Sequence, residues 1–215
     1  MPDRDKDELS VLRRIKSGAI SAGELERLSD EFSHRRRIQV ALIQHPGFPQ
    51  KRALNIISSL LPGELLMVLR NKRTNPLIRR RGEVEFLNKF QRLPAGEKTT
   101  CLKTAPVELL LRFKRLEDPR LLKALLMNPS CTESVVIGMI QSGGDHQGLY
   151  KALDGTAWLV RPGVVSAVSR DPMAPVKVLL AISPYLNRKD RSRLLGRTGT
   201  HEAVKARLKS RTPGA

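Results

Sequence analysis

Between closely spaced prolines and glycines, apolar residues along this 215-residue chain recur at separations of three and four. That is the period of short helices packed through one face, not the period of two shown by half-buried strands. Ile38, Ala41 and Leu42 fall on one face of the first strong segment, and Ala53, Leu54, Ile56, Ile57 and Leu60 make a broad apolar stripe on the next. Phe86 and Phe90, four apart and in phase with Ile78 and Gly82, read as a core stripe. Pro49, Pro62, Pro76, Pro94, Pro106 and Pro175 each stand where a helix can start, because a proline in the first turn gives up an N–H that has no helical partner anyway. Leu, Ile, Val and Ala carry the apolar content while aromatics are 4%, which suits layered helices better than a β-sandwich. The pattern predicts an all-α protein.

An internal repeat emerges when the chain is aligned on Pro46, Pro129 and Pro172. Ala stands five residues earlier in each copy (Ala41, Ala124, Ala167), and a polar turn-former immediately before the proline (His45, Asn128, Asp171). Pro49, Thr132 or Pro175 follows three residues later, and apolar pairs come at seven and eight: Ala53 and Leu54, Val136 and Ile137, Leu179 and Leu180. The residue before a proline is pushed out of the helical region, so one helix ends there, and the Thr or Pro three positions on starts another. The small Ala lets the two helices approach, and the later pair fills the groove between them. Such a hairpin cannot bury its apolar face alone, so copies must stack. The spacings are 83 and 43 residues, so a degenerate copy is expected between the first two, over Leu69 to Phe90 with Pro76 opening its second helix. Another is expected from Leu194 to Leu208 around Thr200.

The segments EDPRLLKALLMNPSCTESVV (Glu117 to Val136) and SRDPMAPVKVLLAI (Ser169 to Ile182) resemble HEAT-like repeats and the related leucine-rich-repeat variant, in which Asp-Pro or Asn-Pro turns separate short helices. The resemblance implies an α-solenoid of about five stacked helical hairpins over residues 35 to 210, a fold that serves many functions. The expected organisation is a set of N-terminal capping helices over 1–33, with Ser21 or a neighbour opening one of them, and a repeat block over 34–141. A glycine-rich joint over 142–148, a second repeat block over 149–210 and a disordered tail over 211–215 complete it.

Charge changes the picture. Thirty-nine basic against 21 acidic side chains leave +18 and a pI near 10.8, which points to a polyanionic partner. The excess is segregated: residues 34–116 hold 18 basic and 5 acidic side chains, and 161–215 hold 12 and 3. Within these blocks Arg35, Arg36 and Arg37, then Lys51 and Arg52, then Arg79, Arg80 and Arg81, and finally Arg188, Lys189 and Arg191 fall in or near the first turns of expected helices. Arg70, Lys72 and Arg73 lie between two of the clusters. A cation at a helix start opposes the dipole by roughly 0.3–1 kcal/mol, whereas the open backbone N–H groups there and an arginine together suit phosphate. These fourteen residues are the candidate nucleic-acid site, lining one surface. The competing reading is a solvated face neutralised by i,i+4 pairs, Arg79 with Glu83 and Arg81 with Glu85. Aromatics are too few in the basic blocks for single-strand stacking, so backbone or shape recognition of DNA or RNA is expected, with an acidic protein as the alternative partner of a scaffold.

Several chemistries are missing. The apolar runs, such as Val135 to Ile140 and Val178 to Ile182, fall far short of the roughly 18 residues a spanning helix needs, and no apolar stretch follows the polar N-terminus. A monomeric, intracellular, cytoplasmic protein without a membrane segment is expected. Cys101 and Cys131 stand alone and read as small core hydrophobes. His34, His45, His146 and His201 are scattered without ligand spacing, so neither metal nor cofactor is expected. Ala95 to Thr100 lacks the glycines of a P-loop, and Gly143 to His146 reads as linker and not as a catalytic loop. The chain is therefore expected not to be an enzyme. The least remote exception is a HEAT-like DNA glycosylase similar to the alkylpurine glycosylases, with Asp154 and Trp158 four apart on one helix face; the single tryptophan reads better as a packing anchor.

Overall fold

A computed structural model describes residues 3–18, 20–142 and 146–210. Gly143, Gly144 and Asp145 of the expected joint, and the 211–215 tail, lie outside the described residues. Among the described residues the structure consists of fifteen α-helices and three 3-10 turns with no strand. The all-α class is as the periodicity predicts, and no described helix is long and apolar enough to cross a membrane. The chain divides into two compact units, Met1–Cys101 and Leu102–Ala215.

The N-terminal unit holds α1 (Asp3–Ser17), α2 (Ala22–Glu31), α3 (Arg36–Gln44), α4 (Gln50–Ile57), α5 (Pro62–Arg70) and α6 (Pro76–Gln91), and α7 (Ala95–Thr104) runs on into the second. Ser21 caps α2, its hydroxyl accepting the Glu24 N–H. Helices pack on the next but one, α1 on α3, α3 on α5 and α4 on α6, as well as within hairpins. Ile38, Leu42, Ile57, Leu65 and Phe86 are fully enclosed. Phe86 and Phe90 lie 5.7 Å apart, centroid to centroid, in the expected stripe.

The C-terminal unit comprises α8 (Val107–Leu110) with the 3-10 turn Leu111–Phe113, α9 (Pro119–Leu126), α10 (Glu133–Gln141) and α11 (Gln147–Leu153). After the 3-10 turn Ala157–Val160 come α12 (Pro162–Arg170), α13 (Val176–Ile182), the 3-10 turn Ser183–Tyr185, α14 (Arg188–Gly196) and α15 (Glu202–Lys209). The same next-but-one packing recurs in α9 on α11, α10 on α12, α12 on α14 and α13 on α15. Proline placement follows the chemistry. Pro62 and Pro76 open α5 and α6, Pro49, Pro106 and Pro175 cap α4, α8 and α13, and Pro94 directly precedes α7. Cys101 and Cys131 are both buried and form no disulfide.

The three proline hairpins share one turn. In each, the residue before the proline accepts from the backbone N–H three positions on: Phe48 to His45, Cys131 to Asn128 and Ala174 to Asp171. Its side chain accepts from the N–H two positions on, His45 from Gly47 at 3.0 Å, Asn128 from Ser130 at 2.6 Å and Asp171 from Met173 at 2.8 Å. This doubled turn explains why that position is polar. The α5–α6 turn repeats it with Lys72 in the place of proline: Asn71 Oδ1 accepts from Arg73 N–H at 3.0 Å, and the Thr74 N–H reaches the Asn71 carbonyl. The α14–α15 turn keeps only the backbone half, from Thr200 N–H to the Arg197 carbonyl. The next position points inward in four of the five turns, where Phe48, Thr74, Cys131 and Thr200 are buried; Ala174 is half-buried. Ala53, Val136 and Leu179 are buried and their neighbours Leu54, Ile137 and Leu180 half-buried, the same register in each second helix.

Candidate nucleic-acid interface

Chain direction sorts the basic residues of the N-terminal unit. The last residue of α3, Gln44, donates to the Met67 carbonyl in the later half of α5 at 2.8 Å, so the α3–α4 and α5–α6 turns lie at the same end of the packed helices. Lys51 and Arg52 in the first turn of α4, Arg70 at the end of α5, and Lys72 and Arg73 in the turn therefore share that end. Arg35, Arg36 and Arg37 start α3 and sit at the opposite end. Within the N-terminal unit the α3-start cluster and the turn-end cations therefore lie at opposite ends of the packed helices.

Their partners differ as well. Arg36 donates from Nη1 to the Ser59 carbonyl at 2.9 Å, just past the end of α4, and Lys89 Nζ donates to the carbonyls of Ser58 at 2.7 Å and Leu60 at 2.6 Å. These cations neutralise the negative end of α4. Arg35 lies 3.7 Å from Glu8. Arg52 pairs with Asp30 at 2.6 Å and stands 3.7 Å from Glu26, and Arg81 pairs with Glu85 at 2.7 Å. Arg37, Lys51, Lys72, Arg73 and Arg80 are exposed and, among the described residues, take part in no ion pair.

Two helix starts, α3 and α4, carry no side-chain cap, which leaves first-turn N–H groups open beside Arg37 and Lys51. The other two are already capped. Asn75 Oδ1 accepts from Leu77 N–H at 2.9 Å, and Arg79, Arg80 and Arg81 follow as the fourth to sixth residues of α6. Asn187 Oδ1 accepts from Asp190 N–H at 2.8 Å at the start of α14. Arg188 and Lys189 there are exposed and Arg191 half-buried. Their neighbour Asp190 is enclosed, 1% exposed, and receives Arg193 at 2.7 Å and the Asn187 amide at 2.7 Å.

A buried polar cluster in the C-terminal unit was not singled out from the sequence. Asp171 Oδ2 accepts from the Tyr150 hydroxyl at 2.5 Å and from His146 Nδ1 at 2.7 Å, while Oδ1 holds its own turn. The turn residue of the α12–α13 hairpin thus grips α11. Asn128 does the same for the preceding elements, its amide donating to the carbonyls of Leu102 at 2.6 Å and Ala105 at 2.9 Å. Burial pushes the Tyr150 hydroxyl well above its usual value, and the bond to Asp171 adds to this. Burial alone would raise the Asp171 carboxyl, but the hydrogen bonds from Tyr150, the Met173 N–H and His146, with the charge of His146, hold it below the usual range.

His146 and Tyr150 also line a cavity of about 520 Å³ with Asp154, Met173 and Lys177, in which Lys177 is closed onto Asp154 at 2.5 Å. Asp154 and Trp158 do not share a helix face. Asp154 ends α11, Gly155 follows with φ +70°, and Trp158 sits on the next 3-10 turn facing a different cavity. The shared helix face on which the glycosylase-like alternative rested is therefore not formed. Among the described residues no three His, Cys, Asp or Glu side chains gather in a way that could hold a metal ion. Compared with protein-family models, with curated proteins and with solved structures, the chain matches none.

Proposed function

We propose that the chain is a non-catalytic binding module of stacked helical hairpins, in the manner of HEAT-like solenoids, and that its N-terminal unit engages a nucleic-acid backbone with the end of its hairpins that carries the turns. The observation that carries this reading is the set Lys51, Lys72, Arg73 and Arg80. They are exposed cations without an internal counter-charge, three of them at one end of the packed helices and the fourth one turn into α6. The shared turn register and the next-but-one packing support the repeat architecture. Buried thiols with no disulfide agree with a reducing, intracellular setting.

The reading is tested with nuclease-treated protein and duplex DNA, duplex RNA and an acidic polypeptide across a salt series. Four phosphate contacts give a log–log slope of about −4 on B-DNA, each contributing roughly 0.9. Charge reversal of Lys51, Lys72 and Arg73 to Glu should remove about three units of that slope, with binding lost accordingly. Arg36→Gln should lower stability and leave the slope unchanged. A triple variant that binds as tightly as the parent, with the same slope, overturns the proposal.

A further inference from the structure

We propose that the cavity beside Trp158 in the C-terminal unit is a docking pocket for one bulky apolar side chain of an acidic protein segment, with Lys123 and Arg161 receiving the carboxylates that flank it. The cavity is about 320 Å³ and is walled by Leu126, Met127, Ala152, Ala157 and Trp158, near the lower bound of small binding sites and suited to a single anchor. The indole is fixed before any partner arrives, because its N–H donates to the Leu126 carbonyl at 3.2 Å. A partner therefore meets a rigid ring and loses little entropy in ordering it.

Three observations identify the occupant. The wall is apolar and open to solvent: Met127, at the end of α9, is 65% exposed although it lines the cavity. The pocket has no acidic lining residue, and Lys123 and Arg161 are exposed and in no ion pair among the described residues. In the larger cavity, by contrast, Lys177 is neutralised by Asp154. The charge left over beside Trp158 is thus complementary to carboxylates, and Trp, Met and Arg are the residues enriched where protein partners anchor.

The walls also discriminate against a nucleobase. The Trp158 N–H is already committed to Leu126, and the Thr156 hydroxyl donates to the Leu153 carbonyl at 2.7 Å. A base would bury its edge donors there beside a wall without a free carboxylate, whereas a leucine or phenylalanine side chain has none to satisfy. This pocket shares no residue with the basic end of the N-terminal unit, so it stands or falls separately from the polyanion reading.

Trp158 is the single tryptophan of the chain, so its selectively excited emission reports this site alone. The full-length protein is titrated with the capped peptide Asp-Glu-Phe-Asp-Glu, its Phe-to-Ser version, the peptide Lys-Lys-Phe-Lys-Lys, and oligouridylate. The expected result is a saturable change in emission with the acidic Phe peptide and at least a tenfold weaker response to each of the other three. Lys123→Glu combined with Arg161→Glu should weaken the acidic peptide at least tenfold without moving the melting temperature, since both side chains are exposed, and Met127→Ser should weaken it with the charges intact. Absence of a saturable change with the acidic Phe peptide overturns the proposal. So does equal binding of the Ser or Lys peptide, or a saturable response to oligouridylate in place of the peptide.

Discussion

Asp171→Ala is the most informative single perturbation of the fold, because one carboxylate serves three donors. Its loss orphans the Tyr150 hydroxyl, held at 2.5 Å, and His146 Nδ1, held at 2.7 Å. Tyr150 is 2% and His146 8% exposed, so each loses a bond made inside the fold. The third donor, the Met173 N–H, belongs to a residue that is 66% exposed and finds solvent. Each buried donor left without an acceptor costs roughly 1–3 kcal/mol, so two place the loss at about 2–6 kcal/mol, a large part of an ordinary folding stability of about 5–15 kcal/mol. At about 2–4 °C per kcal/mol for a chain of this size, calorimetry should record a fall in melting temperature on the order of 10 °C.

A double-mutant cycle separates this network from a mere packing defect. Tyr150→Phe in the parent removes one donor and should cost about 1 kcal/mol. In the Asp171→Ala background the same change removes an already orphaned hydroxyl and should cost nothing or restore stability, giving a coupling of at least about 1 kcal/mol. Additive losses, or a cost for Asp171→Ala below about 1 kcal/mol, would refute the claim that this carboxylate ties the α12–α13 turn to α11. The pH dependence has a definite sign. Because the folded carboxyl lies below its ordinary value of 3.8, its contribution is complete above about pH 4 and is lost as pH falls through the lower folded value. Asp171→Asn should therefore flatten the acid limb of the stability curve below about pH 4.

Thr74 and Thr200 occupy the inward turn position held elsewhere by Phe48 and Cys131, and their hydroxyls are buried without a hydrogen-bond partner. Thr74→Val and Thr200→Val should leave the urea midpoint unchanged or raise it, by up to about 1 kcal/mol each, and a loss of that size would show that the hydroxyls are bonded. A Cβ at Gly148 would stand 2.5 Å from the Glu117 carbonyl oxygen, whereas Gly96 in α7 has nothing within 4 Å. Gly148→Ala should thus cost roughly 1–3 kcal/mol and Gly96→Ala should gain about 0.5 kcal/mol, both read by denaturation; equal effects would contradict the close approach at Gly148. Burial pushes the Cys131 thiol up to about 11, so iodoacetamide at neutral pH should modify it only after unfolding, and rapid labelling of the folded chain, located by mass spectrometry, would count against its burial.

Where the fold was legible, a local rule decided it. A proline removes an N–H and restricts the residue before it, so helix starts such as Pro62 and Pro76 and the turns at Pro46, Pro129 and Pro172 could be read directly. The Asn71–Thr74 turn uses the same hydrogen bonds with Lys72 in the proline position, and only its place in the spacing hinted at it. The Asp171 network joins residues 21 and 25 positions apart. The sequence shows Asp171 as a turn-former, but nothing local says that its second oxygen meets α11. Asp154 and Trp158 illustrate the opposite failure. Their separation of four suits one helix face, yet Gly155 at φ +70° ends α11 between them.

The arginine clusters show how a sound local argument acquires its answer from tertiary structure. A cation in a first helical turn is unfavourable there, which from sequence alone points outward to a missing anion. The fold resolves the cost differently at each cluster. Arg36 extends from the start of α3 to the carbonyl end of α4, where positive charge is favourable, and Arg52 and Arg81 find Asp30 and Glu85. Exposed pairs of this kind are worth only about 0–1 kcal/mol, so a phosphate could draw those arginines away at small cost. It would first meet Lys51, Lys72, Arg73 and Arg80, which have no internal partner to give up. On the proposed reading an anion that follows least resistance enters at the turn end of the N-terminal unit, where Lys51, Lys72 and Arg73 gather, and its salt dependence should be reduced by removing those cations and not Arg35 or Arg36, which already hold Glu8 and the Ser59 carbonyl.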